Sequence, residues 1–172
     1  NGELAYHLRS ALTQREDAGA WELTASDNGS WGLSSSKYPY SSAFGAEVLP
    51  LPCRAALRQV RPHIVLTSWM PMGVDWSASF RESGAHEYIL LGEAYDGACG
   101  HNWATWGNPD FLDDEATPDD DQHPTARAPH EIDGYVTHEI REVSRWMVSR
   151  FDGRGDDAYS TCAVSFRRGP SW

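Results

Sequence analysis

The chain has 172 residues, is 40% hydrophobic and 12% aromatic, and carries eight tryptophans, which suits one globular domain with a substantial core. Its formal charge of −11 argues against direct nucleic-acid binding, which needs a basic face to meet phosphates. No apolar run reaches the length of a membrane span, and Cys53, Cys99 and Cys162 stand apart with no CxxC spacing, so the expectation is buried thiols, a reducing intracellular compartment and no membrane partner.

The sequence opens on "NGELAYHLRSAL", a glycine turn running straight into an apolar-periodic segment. Leu4, Ala5, Leu8, Ala11 and Leu12 recur at helical spacing, which predicts a helix from about Glu3 to Ala18, stopped by Gly19. "AWELTAS" (Ala20 to Ser26) and "AEVLPL" are short strand candidates, with a Ser- and Tyr-rich loop from Ser34 to Phe44 between them. Cys53 to Val60 reads as a helix ended by Pro62. "HIVLTSW" (His63 to Trp69) is the clearest buried strand, β-branched and apolar, and Met70-Pro71 terminates it. A helix is expected over Asp75 to Glu82, with Asp75 able to cap it, and "EYILLGEA" is the next buried strand. Continuous apolar strands alternating with short helices predict an α/β fold with a mostly parallel sheet covered on both faces.

Periodicity then dissolves between about Tyr95 and Ile132, where "NPDFLDDEATPDDDQHPTARAP" predicts a long acidic surface excursion, partly mobile. Order returns at Gly134. Val136, Ile140 and Val143 mark a helix face over "YVTHEIREVS", while "RWMVSRFD" and "AYSTCAVSFRR" flank the turn "GRGDD" as two strands. Taken alone, Gly134 to Arg150 reads equally as one continuous helix.

"ELTASD", "VLPL…ALRQVRPHIVLTSWMP", "EYILLGEAYDGACGHNWATWG" and "VSRFD…AVSFRR" together resemble class I S-adenosylmethionine-dependent methyltransferase-like domains, in particular a group with a "SWMP" strand end and a "GxNWxTWG" loop. The resemblance implies a Rossmann-like sheet of seven strands whose last two form a C-terminal antiparallel hairpin, and so favours strands for "RWMVSRFD" and "AYSTCAVSFRR". It also implies one methyltransferase-like domain over residues 1–172, truncated at its N-terminus. "NGELA" would be the end of a glycine-rich loop whose first strand is missing from this chain.

The resemblance implies a set of site residues. Asn1 and Gly2 would approach the methionine carboxylate of S-adenosylmethionine at a helix N-terminus, although the same pair serves as a plain helix-start turn. Asp27, after the second strand, would accept hydrogen bonds from the ribose hydroxyls, yet "SDNGS" is also ordinary turn chemistry. Leu49 would lie against the adenine. Ser68 would bond donor or acceptor at the carboxyl edge of the sheet, where open α/β sheets bind ligands, and Trp69, Met70 and Pro71 would wall the acceptor pocket. Some amino-methylating families carry an Asn/Asp-Pro-Pro-aromatic motif here, and Ser-Trp-Met-Pro departs from it, so that chemistry does not transfer. Glu93 and His101 are candidate general bases beside Ser68, and Trp103 and Trp106 could clamp a planar substrate.

The acidic run Asp110, Asp113, Asp114, Glu115 and Asp119 to Asp121, with His123 and His130 nearby, lacks the ligand order of a hard-cation loop, so no metal is expected. Two function classes follow. One is an S-adenosylmethionine-dependent methyltransferase acting on a small-molecule or protein acceptor. The other is a non-catalytic methyltransferase-like subunit kept for its protein partners.

Overall fold

Residues 3–29, 48–94, 97–112, 127–147 and 161–169 are described in a computed structural model, and the chain divides into two compact units, Asn1–Arg61 and Pro62–Trp172. The first unit begins with helix α1, Glu3–Thr13. Ala5 is buried and Leu8 and Leu12 are half-buried, as the periodicity requires, while Leu4 and Ala11 stay exposed. The helix ends short of the expected Ala18 because "QRED" offers no apolar residue to bury. Instead Asp17 accepts hydrogen bonds from Arg15 and from the Trp21 indole and bends the chain into turns. Those bonds, Arg15 first, hold the Asp17 carboxyl down at about 2.

Strands β1, Ala25–Ser26, and β2, Val48–Leu49, form a parallel pair in which Ala25 faces Val48 and Ser26 faces Leu49. β1 is shorter than its sequence segment at its start, where Ala18–Ala20 form a tight helical turn and residues 21–24 are irregular, and β2 ends before Pro50. Helix α2, Cys53–Val60, has the bounds the sequence predicts, with Ala56 and Leu57 buried. It stops at Arg61, which is left-handed at φ 49° and returns its N–H to the Leu57 carbonyl, because Pro62 cannot continue the ladder.

The second unit carries strand β3 (Ile64–Ser68), helix α3 (Ser77–Glu82), strand β4 (Glu87–Glu93), helix α4 (Pro129–Ile132), strand β5 (Tyr135–Glu139), helix α5 (Arg141–Ser144) and strand β6 (Thr161–Arg168). Its sheet has the order β3-β4-β6-β5. β3 runs parallel to β4 from Ile64↔Glu87 to Ser68↔Leu91, and β6 is antiparallel to both β4 and β5. The chain is thus a mixed α/β protein with two open sheets, one parallel and one mixed.

Three expectations change. Tyr135 to Ser144 is not a helix face: Tyr135–Glu139 is a strand paired with β6, and only Arg141–Ser144 is helical. The strand explains why Val136, which mimics helical spacing, is exposed, since it alternates away from buried Tyr135; Val143, within the short helix, is exposed as well. The antiparallel partner of β6 is therefore Tyr135–Glu139 rather than "RWMVSRFD", whose last five residues lie outside the described residues. β3 is also less buried than its composition suggests, with Ile64 and Leu66 exposed, because among the described residues it pairs on one edge only.

The third change concerns the acidic excursion, where residues 97–107 fold as packed turns. Cys99, Gly100, Thr105 and Trp106 are buried there, and α4 buries His130; residues 113–126, including most of the acidic run, lie outside the described residues.

The core is an aromatic cluster on one sheet face. Tyr88 of β4 and its cross-strand partner Phe166 stack at 4.5 Å and 8°. Tyr135 and Phe80 tilt onto Tyr88, while Trp106 and the His130 ring close on Phe166. Further along β4, Gly92 leaves room for Cys99: a Cβ at Gly92 would lie 2.7 Å from the Cys99 sulfur. Gly92→Ala is therefore expected to lower stability by about 1–3 kcal/mol in urea unfolding, with a smaller loss in a Cys99→Ala background.

Candidate functional site

The carboxyl ends of β3 and β4 meet at a strained turn. β3 gives way at Trp69, which has φ 56°, a left-handed conformation that a bulky side chain adopts only under constraint. The constraint is visible. Trp69 donates its N–H to the Leu91 carbonyl at 2.8 Å, Gly100 donates to the Met70 carbonyl, and Gly73 donates to the Gly100 carbonyl at 2.7 Å. The indole remains 48% exposed despite this backbone grip.

The loops that follow β3 and β4 are pinned together by one carboxylate. Asp75 Oδ1 accepts from the Ser77 N–H, the Ser77 hydroxyl and the Thr105 hydroxyl, the last from 30 residues away. Thr105 Oγ1 in turn accepts the His101 N–H. On the other side Ser77 Oγ receives a bond from Arg81, and Arg81 Nε donates to Asp133 Oδ2 at 2.6 Å. Burial works against the Arg81 charge, but the bond to Asp133 holds its pKa above the ordinary value.

The helix expected over Asp75 to Glu82 begins at Ser77 with Trp76 at its N-cap position, so Asp75 lies one residue before the cap; its carboxylate still takes the first helical N–H and also joins two loops, a contact no local pattern reveals.

The predicted residues fall into several settings. Asn1 and Gly2 lie outside the described residues. Asp27 and Leu49 come together in the first unit, where the Asp27 N–H bonds the Leu49 carbonyl, and Asp27 Oδ1 accepts the Gly29 N–H at 2.7 Å in a tight turn. In the second unit Ser68 and Trp69 are exposed and Pro71 is half-buried. Met70 turns inward, its sulfur against the Trp76 N–H. Glu93, at the end of β4, is only 4% exposed and accepts the Ala98 N–H. His101 is half-buried, and its Nδ1 accepts the Ala104 N–H, so the neutral ring carries its proton on Nε2 and presents a donor rather than a base. Trp106 donates its indole N–H to the Cys99 carbonyl and packs on Phe166.

Trp103 and Trp106 do share a cleft, but it lies over the β5–β6 face beneath α4, lined also by Phe166, Thr137, His130 and Glu131. In the sequence His130 stands out only as a histidine near the acidic run, and nothing there announces its burial. It is 5% exposed, and its Nδ1 is buried without a hydrogen-bond partner. Burial lowers its pKa from the ordinary 6.5. Among the described residues no group of three His, Cys, Asp or Glu could hold a metal ion, and no helix is long and apolar enough to cross a membrane. Compared with protein families, curated proteins and solved structures, the chain finds no match.

Two tests follow from this geometry. Asp75→Ala strands the Ser77 and Thr105 donors and is expected to cost about 2–3 kcal/mol in chemical unfolding. Because His130 binds its proton less readily folded than unfolded, its contribution is complete above the unfolded pKa of 6.5 and is lost as pH falls below it. Unfolding free energies at pH 7.5 and 5.5 should therefore differ more for the natural chain than for His130→Phe.

Proposed function

We propose that the chain is a Rossmann-like, methyltransferase-like domain that uses S-adenosylmethionine, with a small-molecule or protein acceptor. The observation that carries this reading is the strand pattern. One parallel pair lies in the first unit, and the second holds a parallel pair extended by a last strand antiparallel to both its neighbours. In a seven-stranded sheet that ends in an antiparallel hairpin, these are strands two and three and strands four to seven in chain order.

The strained Trp69 supports a site at the carboxyl edge of β3, where α/β sheets bind ligands. S-adenosylmethionine supplies an electrophilic methyl group when bound. The residues present fit part of its chemistry. Asp27 keeps acceptor capacity for ribose hydroxyls beyond the lone pair engaged by Gly29, and Leu49 offers an apolar contact for a base. Ser68 supplies an exposed hydroxyl and Trp69 an exposed wall for the acceptor. Catalysis on this reading is mainly by positioning, with the acceptor held in line.

The non-catalytic alternative draws on one observation: the lone pair of His101 Nδ1 is already committed to Ala104 and Glu93 is buried, which leaves neither placed as an open general base.

Calorimetry of the full natural polypeptide with S-adenosylmethionine and S-adenosylhomocysteine decides between them. The expected result is saturable binding near the micromolar level, about −8 kcal/mol, weakened at least tenfold by Asp27→Ala. No binding by folded protein would leave the interaction-subunit reading. Trp69→Gly adds a second check. It relieves the left-handed strain and is expected to raise stability by about 1 kcal/mol while lowering turnover of any acceptor found.

A further inference from the structure

At the amino ends of β3 and β4 two imidazoles stand side by side. His63 precedes β3 and His86 precedes β4, one step before the first pair of the parallel ladder, Ile64↔Glu87. Roughly 20 Å of extended chain separates His63 from Trp69, so this end of the sheet has no part in the donor-site reading.

The backbone fixes the pair. The His86 and Glu87 N–H groups both donate to the His63 carbonyl, at 2.9 and 3.2 Å, and Arg168 donates its N–H to the His86 carbonyl at 2.9 Å. Both histidines are exposed, and their rings lie 5.9 Å apart, centre to centre, with 21° between the planes. Neither imidazole is hydrogen-bonded to another described residue, so the ring nitrogens are left to solvent. A metal ion held at about 2.0–2.1 Å by one nitrogen of each ring brings the ring centres to roughly 5 Å at a tetrahedral angle. Rotation of the two exposed side chains about χ1 and χ2 supplies that small closure, and the tilt that points both ring planes at one ion. Arg168, a cation on the adjoining strand, turns its guanidinium over the Tyr135 ring at 5.3 Å, and the net charge of −11 favours cations near the surface.

We propose that His63 and His86 form a two-histidine surface site for a divalent transition-metal ion of the zinc class, with water in the remaining positions. Imidazole nitrogen suits Zn²⁺, Ni²⁺ and Cu²⁺, whereas Mg²⁺ and Ca²⁺ take oxygen ligands. Two protein ligands leave the ion open to solvent, unlike the closed four-ligand sites that hold a fold together. The ion therefore exchanges freely, in keeping with the lack of any three-ligand group among the described residues.

The test uses the full chain labelled with 15N-histidine and titrated with zinc chloride near neutral pH. The ring nitrogens of His63 and His86 should shift together and saturate at one equivalent, with a shared dissociation constant in the micromolar range, while the exposed His138 keeps its position. His63→Ala should weaken the His86 response at least tenfold, and His86→Ala should do the same to His63. Both changes fall at exposed positions, so the remaining histidine resonances should stay in place and report a folded chain. The proposal is overturned by any one of three results: no saturable shift at the pair up to about 1 mM zinc, a His138 response of equal affinity, or a His86 response weakened less than tenfold in folded His63→Ala.

Discussion

The stack of Tyr88 on Phe166 is the contact on which the second unit depends. These two residues face each other across the β4–β6 ladder, and among the described residues four segments place a ring against one of them. α3 reaches the pair through Phe80, the 97–107 turns through Trp106, α4 through His130 and β5 through Tyr135. Aromatic contacts contribute about 0.5–1.5 kcal/mol each beyond burial, so a cluster of this size can organise a unit whose helices are only four to six residues long. Such helices hardly persist alone; packing holds them.

A second constraint acts at the carboxyl edge. The backbone grip on Trp69 and the carboxylate of Asp75 hold the turns after β3 and β4 against each other. Strain in one residue is thereby supported by many unstrained bonds around it. Arg81 extends the same network across α3 to Asp133, just before β5, and so couples the edge to the aromatic face.

Local features were legible where the cause was local. α2 is bounded by Pro52 and Pro62, and its limits follow from proline chemistry alone. β4 and β6 were readable because "EYILLGE" and "TCAVSF" are continuous and β-rich, as centrally paired strands are. Tyr135–Glu139 looks helical in sequence because Val136, Ile140 and Val143 happen to match a helical period, and only pairing with β6 overrides it. The same holds at the candidate site: Asp75 could be recognised as a helix-start residue, but its bond to Thr105 and the burial of His130 arise from tertiary contacts with no period to announce them.

The position of β6 has a consequence for how the unit is made. β6 lies between β4 and β5, although both precede it in the chain, and the Glu87–Arg167 ion pair closes a span of 80 residues. During synthesis β4 and β5 leave the ribosome with no strand to join them, each with an open edge and the Tyr88 ring without its partner. The sheet is completed only when the segment Thr161–Arg168 has emerged, so the second unit must wait, unassembled and sticky, until nearly all of this sequence has been translated.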